Sequence, residues 1–216
     1  MRIDMNIVYK MGTGEVIEKK SKFIAHVFHI KDEDEALVYI NEVKKKYWDA
    51  RHHCYAYVLG SNNEIQKCSD DGEPSGTAGK PIMEVITNRM ITDCLIVVTR
   101  YFGGTLLGTG GLIRAYQAAS SAGVDNSLIA QVKEGIKGTM IVDYSTIGKL
   151  QYLCAEKNAV IYSTEFAENV NICIIVEKHT YDSFIKQIAD TFAGRLSFEH
   201  LENILYINSE NGVEIL

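Results

Sequence analysis

Arg100-Tyr-Phe-Gly-Gly-Thr-Leu-Leu-Gly-Thr-Gly-Gly-Leu-Ile-Arg114 joins two segments of opposite character. Upstream, Thr92–Tyr101 is a continuous apolar run, the pattern of a strand buried on both faces. Downstream, Leu112–Val124 puts Leu112, Ile113, Tyr116 and Ala119 on one side of a helix. Gly108, Thr109, Gly110 and Gly111 stand at the start of that helix, where unpaired N–H groups and the dipole favour an anion. Arg100 and Arg114 flank the loop as charge-assisted donors to phosphate or carboxylate. Thr105 and Thr109 add hydroxyls, and Tyr101, Gly103 and Gly104 complete the candidate surface.

A second unusual loop precedes it, Ser69-Asp-Asp-Gly-Glu-Pro-Ser-Gly-Thr-Ala-Gly-Lys-Pro81. It holds both prolines of the chain and three glycines; the Arg100–Arg114 loop holds five more, so the two contain eight of 17 glycines. Glycine lets main-chain N–H groups approach a ligand closely, so such density points to binding. Asp70, Asp71 and Glu73 have three readings: they hold a cation, orient a basic partner, or cap the turns that follow. Ser75, Thr77 and Lys80 are the loop's remaining polar candidates. Neither loop is a named nucleotide motif. A P-loop needs G-x-x-x-x-G-K-[ST], but Gly79-Lys80 is followed by Pro81; the dinucleotide fingerprint fails at Ile113. Tight turns required only by the fold remain the alternative to binding.

Around these loops the first half reads as strands and helices. Ser21–Ile30 is a strand. Asp32–Tyr47 is a helix with Ala36, Leu37, Ile40, Val43 and Tyr47 on one face and acidic residues at its positive end. Cys54–Leu59 and Glu64–Lys67 are strands joined by a turn. A short helix follows, with Pro81 in its first turn. On the Cys54 strand, Cys54 and Ala56 share one side, so His53, Tyr55 and Tyr57 share the other; that side is either a ligand-facing surface or an ordinary strand face. His52, His53, Cys54 and Cys68 match no zinc spacing, so no metal is expected. Cys94, Cys154 and Cys173 are expected in the core. Lys44-Lys45-Lys46 reads as a solvated helix face.

After Asn126 the pattern changes. Gly135–Tyr144 is a strand, and Ser145 caps a helix to Glu156. Ala159–Phe166 and Val170–Glu177 form a hairpin, Tyr181–Phe192 is a helix, and Leu196–Ile207 is a last strand. This βαββαβ order is the ferredoxin-like arrangement. It carries its own core residues, which puts a domain boundary near Lys133, with domains over 1–133 and 134–216. The fold class is α+β.

Bulk composition narrows the function classes. The 216 residues carry a net charge of −6, which counts against binding nucleic acid by bulk charge. Five cysteines with no C-x-x-C read as reduced thiols. Met1–Lys10 lacks the apolar stretch of a signal peptide, and Cys94–Val98 is too short to span a bilayer. A cytoplasmic protein without a membrane partner is expected.

The residues of the two loops, with Lys20-Ser-Lys-Phe-Ile-Ala25, Arg51-His-His-Cys-Tyr-Ala56 and Leu107-Gly-Thr-Gly-Gly-Leu-Ile-Arg-Ala-Tyr116, resemble the YigZ/Impact family over most of residues 18–125. The resemblance implies a first domain folded like the second domain of a small-subunit ribosomal protein. It implies a ferredoxin-like second domain similar to domain five of elongation factor G. Eukaryotic relatives regulate translation through protein contacts, with an additional N-terminal domain not expected here. Two functions follow as expectations. One is a translation-associated regulatory or binding protein whose partner is RNA, the ribosome or a translation factor. The other is an enzyme or binder that holds a phosphate or nucleotide at Gly108–Gly111, with Arg100 and Arg114 neutralising it and Asp70 or Asp71 holding Mg²⁺ or acting as a base. No resident cofactor is expected.

Overall fold

The computed structural model describes residues 5–210 and 212–216. The chain forms two compact units, Asp4–Gln131 and Val132–Leu216. The first runs through β1 (Met5–Lys10), β2 (Gly12–Glu18), β3 (Ser21–His29), α1 (Glu33–Lys46), β4 (His52–Leu59), β5 (Ile65–Ser69), α2 (Gly79–Asn88), β6 (Cys94–Tyr101) and α3 (Thr109–Asp125). Five of these strands make a sheet in the order β2-β3-β6-β4-β5, antiparallel at every pairing.

The apolar run of β6 takes the central place and is covered on both faces. Cys94, Ile96 and Val98 join the core built with α2 and α3. Leu95 and Val97 join a second core under α1, with Ile40, Val43 and Tyr57. Helix α1 is set locally: the Asp32 carboxylate accepts from the Glu35 N–H at 2.8 Å. Glu33, Asp34 and Glu35 occupy its first turn and Lys44, Lys45 and Lys46 its last, complementing the dipole. Ala36, Ile40 and Val43 are buried as the spacing predicts, whereas Leu37 is exposed at the edge of that face. The sequence predicts no strand before Ser21; β1 and β2 are additions.

Strand β7 (Leu128–Val142) leads from the first unit into the second, followed by α4 (Ile147–Glu156), β8 (Val160–Phe166), β9 (Val170–Glu177), α5 (Tyr181–Phe192), β10 (Glu199–Ser209) and β11 (Gly212–Ile215). Along the sheet the strands lie in the order β11-β10-β7-β9-β8. The four strands of the βαββαβ order therefore stand fourth, first, third, second, the ferredoxin-like arrangement, and β11 extends it as a hairpin on β10. One sheet face packs Met140, Ile172, Ile174 and Val176 against Leu150, Leu153, Phe184 and Ile188 of α4 and α5.

Several boundaries differ from the sequence expectation: β7 begins at Leu128 rather than Gly135, β10 spans Glu199–Ser209 rather than Leu196–Ile207, and the start of α4 is set by a different residue. Helix α4 begins at Ile147, and Ser145 does not cap it: the Ser145 and Thr146 hydroxyls each donate to the Asp143 carboxylate at 2.6 Å, and the Thr146 N–H donates to it at 2.9 Å. Asp143, a stronger acceptor than a neighbouring hydroxyl, organises that turn. Among the described residues no helix is long and apolar enough to cross a membrane.

Candidate functional site

The Ser69–Pro81 loop is folded around its own aspartate. Asp70 accepts from the backbone N–H groups of Gly76 at 2.8 Å, Ala78 at 3.0 Å and Gly79 at 2.8 Å. This satisfies the open N-terminus of α2, which has no side-chain cap at Ala78. Burial by itself raises the Asp70 pKa, but the N–H groups of Gly76, Gly79 and Ala78, with the charge of Lys80, outweigh it and hold the carboxyl below its ordinary value. Asp71 is equally committed: it accepts from the His53 N–H at 2.6 Å and from the Lys44 ammonium at 3.2 Å, while His52 Nδ1 donates to its carbonyl at 2.9 Å. Of the three readings of these acidic residues, capping and bracing the loop is the one the geometry shows for Asp70 and Asp71.

Glu73 goes inward. Its Oε1 accepts from Arg100 Nη1 at 2.6 Å and from the Tyr116 hydroxyl at 2.8 Å. The Glu73 and Arg100 side chains are 3% and 7% exposed, so this is a buried ion pair. The Arg100 guanidinium lies 5.4 Å from the ring centroid of Phe23 and 5.7 Å from that of Phe102, and Phe23 meets Tyr116 edge-on at 5.1 Å. Cys54 Sγ completes the cluster, 3.0 Å from the Asp70 carbonyl and 3.3 Å from the Tyr116 hydroxyl oxygen. Burial pushes both the Cys54 thiol and the Tyr116 hydroxyl far up, so both stay protonated at neutral pH. The two glycine loops thus converge, joined by a bond from Arg100 to Glu73 beneath the surface. The sequence expectation that Arg100 reaches out to a bound anion is corrected here: its charge is spent on Glu73.

The Arg100–Arg114 loop leaves this anchor and turns outward. Tyr101 donates to Asp49 at 2.7 Å, and that bond, with burial, pushes its pKa up to about 12. Gly103 lies flat against the turn between β2 and β3. Its N–H donates to Ser21 Oγ at 3.0 Å, and a Cβ there would stand 2.0 Å from the Lys20 carbonyl carbon. Beyond it the chain is exposed: Gly104, Thr105, Leu106, Gly108, Thr109 and Gly110 all face solvent. Gly108 precedes α3 with φ 72° and no side-chain cap. Arg114 is exposed on the second turn of α3, and its side chain reaches back so that Nη1 lies 3.8 Å from where a Gly110 Cβ would stand. Gly111, by contrast, is half-buried against Leu107.

The remaining predicted residues divide. Ser75 and Lys80 are exposed; Thr77 is buried, its hydroxyl donating to the Pro74 carbonyl at 2.7 Å. His53 does not face a ligand surface. It is buried because α1 covers the side of β4 that bears His53, Tyr55 and Tyr57. Its Nε2 donates to the Tyr47 carbonyl at 3.1 Å, and burial is the largest influence lowering its pKa. Cys94 and Cys154 are buried as expected, whereas Cys173 is only half-buried, on the face of the second sheet away from its helices. Among the described residues no three His, Cys, Asp or Glu side chains are grouped to hold a metal ion. Tyr116 is the member of the buried cluster that sequence spacing concealed: on a helix face it reads as core, and its ring is core, but its hydroxyl bonds the Glu73 carboxylate and meets the Cys54 thiol.

Similarity to known proteins follows the same division of the chain. The Impact N-terminal domain matches residues 19–124, and a domain of unknown function, DUF1949, matches 140–195. The IMPACT family member YvyE of Bacillus subtilis is 39% identical over 188 residues, covering 87% of either chain. The IMPACT family member YigZ of Escherichia coli is 32% identical over 187 residues, covering 85% of this chain and 91% of its own. A solved structure described only as a hypothetical protein aligns with a TM-score of 0.56 at 29% identity, over 91% of this chain and 97% of that one. Identity above 30% across more than four-fifths of the chain, with the Impact N-terminal domain matched over the residues that hold both loops, means that this chain belongs to the IMPACT family.

Proposed function

We propose that the chain is a translation-associated binding protein whose first unit offers the exposed loop 102–111 to RNA, a ribosomal component or a translation factor. The observation that carries this reading is the contrast within the loop. Leu106 is 83% exposed at its tip, while its base is held by the buried Glu73–Arg100–Tyr116 cluster. A rigidly rooted loop with exposed backbone and apolar side chains is suited to contact, since little ordering entropy remains to be lost on binding. Catalysis is less well supported: Asp70, Asp71 and Glu73 are engaged in structural bonds, and Cys54 and Tyr116 are buried and protonated. Translation enters through the resemblance to regulators among the eukaryotic relatives.

The test is co-sedimentation of the full chain with 70S ribosomes across a salt series. Saturable binding, weakened at least fivefold by Leu106→Asp, is expected; a flat response with salt and concentration overturns the reading. One observation favours a second reading, a phosphate-bearing ligand: the first turn of α3 lacks a side-chain cap and has Arg114 beside it. Thermal shift against a nucleotide and phosphate-ester panel, with Arg114→Ala, distinguishes it.

A further inference from the structure

The second unit carries a hollow that the glycine loops do not involve. It lies on the sheet face turned away from α4 and α5, where the strand register aligns side chains in rows. Glu199, Thr139, Cys173 and Ser163 stand opposite one another across β10, β7, β9 and β8. Ile141, Asn171 and Glu165 form the adjoining row across β7, β9 and β8. Both flanking strands are irregular at this level: β8 shifts register between Ile161 and Ser163, and β10 between Glu199 and Glu202. His200, inside the second shift, has φ 52°. A bulge bends its strand and re-aims the neighbouring side chains. With one on either side, the sheet surface is dished into a cavity of about 220 Å³, lined by the two rows and His200.

The chemistry of the lining is one-sided. Carboxylates line both flanks, Glu199 on β10 and Glu165 on β8, with the Asn171 amide and the Thr139 hydroxyl on the strands between them and the Ser163 hydroxyl beside Glu165; no Lys or Arg lines the hollow. Three glutamates elsewhere on this sheet have cations: Glu202 pairs with Lys137, Glu177 with Lys133 and Glu134 with Lys178. Among the described residues Glu165 and Glu199 have none. Lys137, the nearest lysine on this face, is 3.8 Å from Glu202 and lies 5.5 Å from the centre of the Tyr162 ring. Ile141 and Tyr162 are both about half exposed and offer apolar surface to an aliphatic stem.

We propose that this hollow receives an arginine or lysine side chain from an extended basic segment of a partner protein. Its volume decides against a larger ligand, since pockets for drug-sized molecules run from roughly 300 to 1,000 Å³. Its charge decides against nucleic acid, because sheet faces that read RNA need cationic groups for the phosphates, and this one presents Glu165, Glu199 and Glu202. The proposal stands whether or not the glycine loops bind a translation component.

The test is a titration of the full-length, ¹⁵N-labelled chain with a blocked Gly-Arg-Gly-Arg-Gly peptide. The same peptide carrying citrulline in place of arginine and a short single-stranded RNA serve as separate arms. Saturable amide shifts confined to the neighbourhood of Thr139, Ile141, Ser163, Asn171 and Cys173 are expected with the arginine peptide only. The pair Glu165→Gln and Glu199→Gln, isosteric and on exposed side chains, is expected to weaken binding at least tenfold while leaving the rest of the spectrum in place. Absence of saturable shifts, equal shifts with citrulline, unchanged affinity in the double variant, or shifts at the hollow with RNA would each overturn the proposal.

Discussion

Replacing Glu73 by alanine tests the claim that the two glycine loops are locked together by a buried charge pair. In the native protein the Arg100 guanidinium has Glu73 as its ion partner at 2.6 Å, and its side chain is 7% exposed. Its Nε is already without a hydrogen-bond partner. Removing the carboxylate strands a desolvated cation and takes the acceptor from the Tyr116 hydroxyl. Breaking one side of a buried pair costs about 3–5 kcal/mol, whereas replacing both sides with apolar groups is often close to neutral. At 1.4 kcal/mol per tenfold, the single variant shifts the opening equilibrium of the first unit by about two to three and a half decades. Native-state hydrogen exchange of the full chain, read on peptides covering 70–79 and 94–116, measures that shift without assuming that both units unfold together. Glu73→Ala paired with Arg100→Met closes a double-mutant cycle and is expected to recover most of the loss. A single-variant cost below about 1 kcal/mol, or costs that simply add in the double variant, would refute the lock.

Gly103→Ala drives a Cβ into the Lys20 backbone, whereas Gly104→Ala meets open space and incurs only the strain of φ 82°; the first should cost more in urea denaturation, about 2–3 kcal/mol against about 1. Asp70→Asn leaves one oxygen for the Ala78 and Gly79 N–H groups but replaces Oδ2, the acceptor of the Gly76 N–H, by a donor NH₂ and removes the charge, and is expected to cost about 1–2 kcal/mol at pH 7. Because the folded carboxyl is depressed, this contribution is present above about pH 4 and lost as pH falls through the lowered value, so the gap between the proteins narrows in acid unfolding. His26 is buried against Lys46 and Tyr47, and burial, then Lys46, lowers its pKa to about 4. The unfolded chain therefore binds the extra proton first, and stability falls as pH drops from 6.5 to 4, by up to about 1.4 kcal/mol per pH unit; His26→Gln should flatten that slope.

The elements most legible in the sequence are those whose determinants are local. The helix predicted over Asp32–Tyr47 became α1 with those two residues as its caps, because an aspartate cap, an acidic first turn, a lysine last turn and a 3.6-residue apolar period all lie within the segment. Tyr181–Phe192 is helical over the predicted residues for the same reason of period. β1, β2 and β11 went unseen because a short strand owes its existence to a neighbour: β2 pairs with β3, and β11 with β10. Ser145 misled because hydroxyls and carboxylates compete for the same turn, and only geometry showed Asp143 to be the acceptor.

The candidate site divides along the same line. Local composition located two glycine-dense loops, since glycine clusters need no partner to be read, and the apolar run and apolar spacing on either side of the second located the strand and helix that frame it. Which side chains meet there was decided in three dimensions. Strand register sets His52 opposite Arg100 and carries the Asp70–Asp71 turn over the end of β4. Packing brings Tyr116, 43 residues from Glu73, to its carboxylate, and turns the acidic loop from an open ligand surface into a brace. A sequence records which groups are available; burial and register, long-range properties of the folded chain, decide which of them are already used and which still face outward.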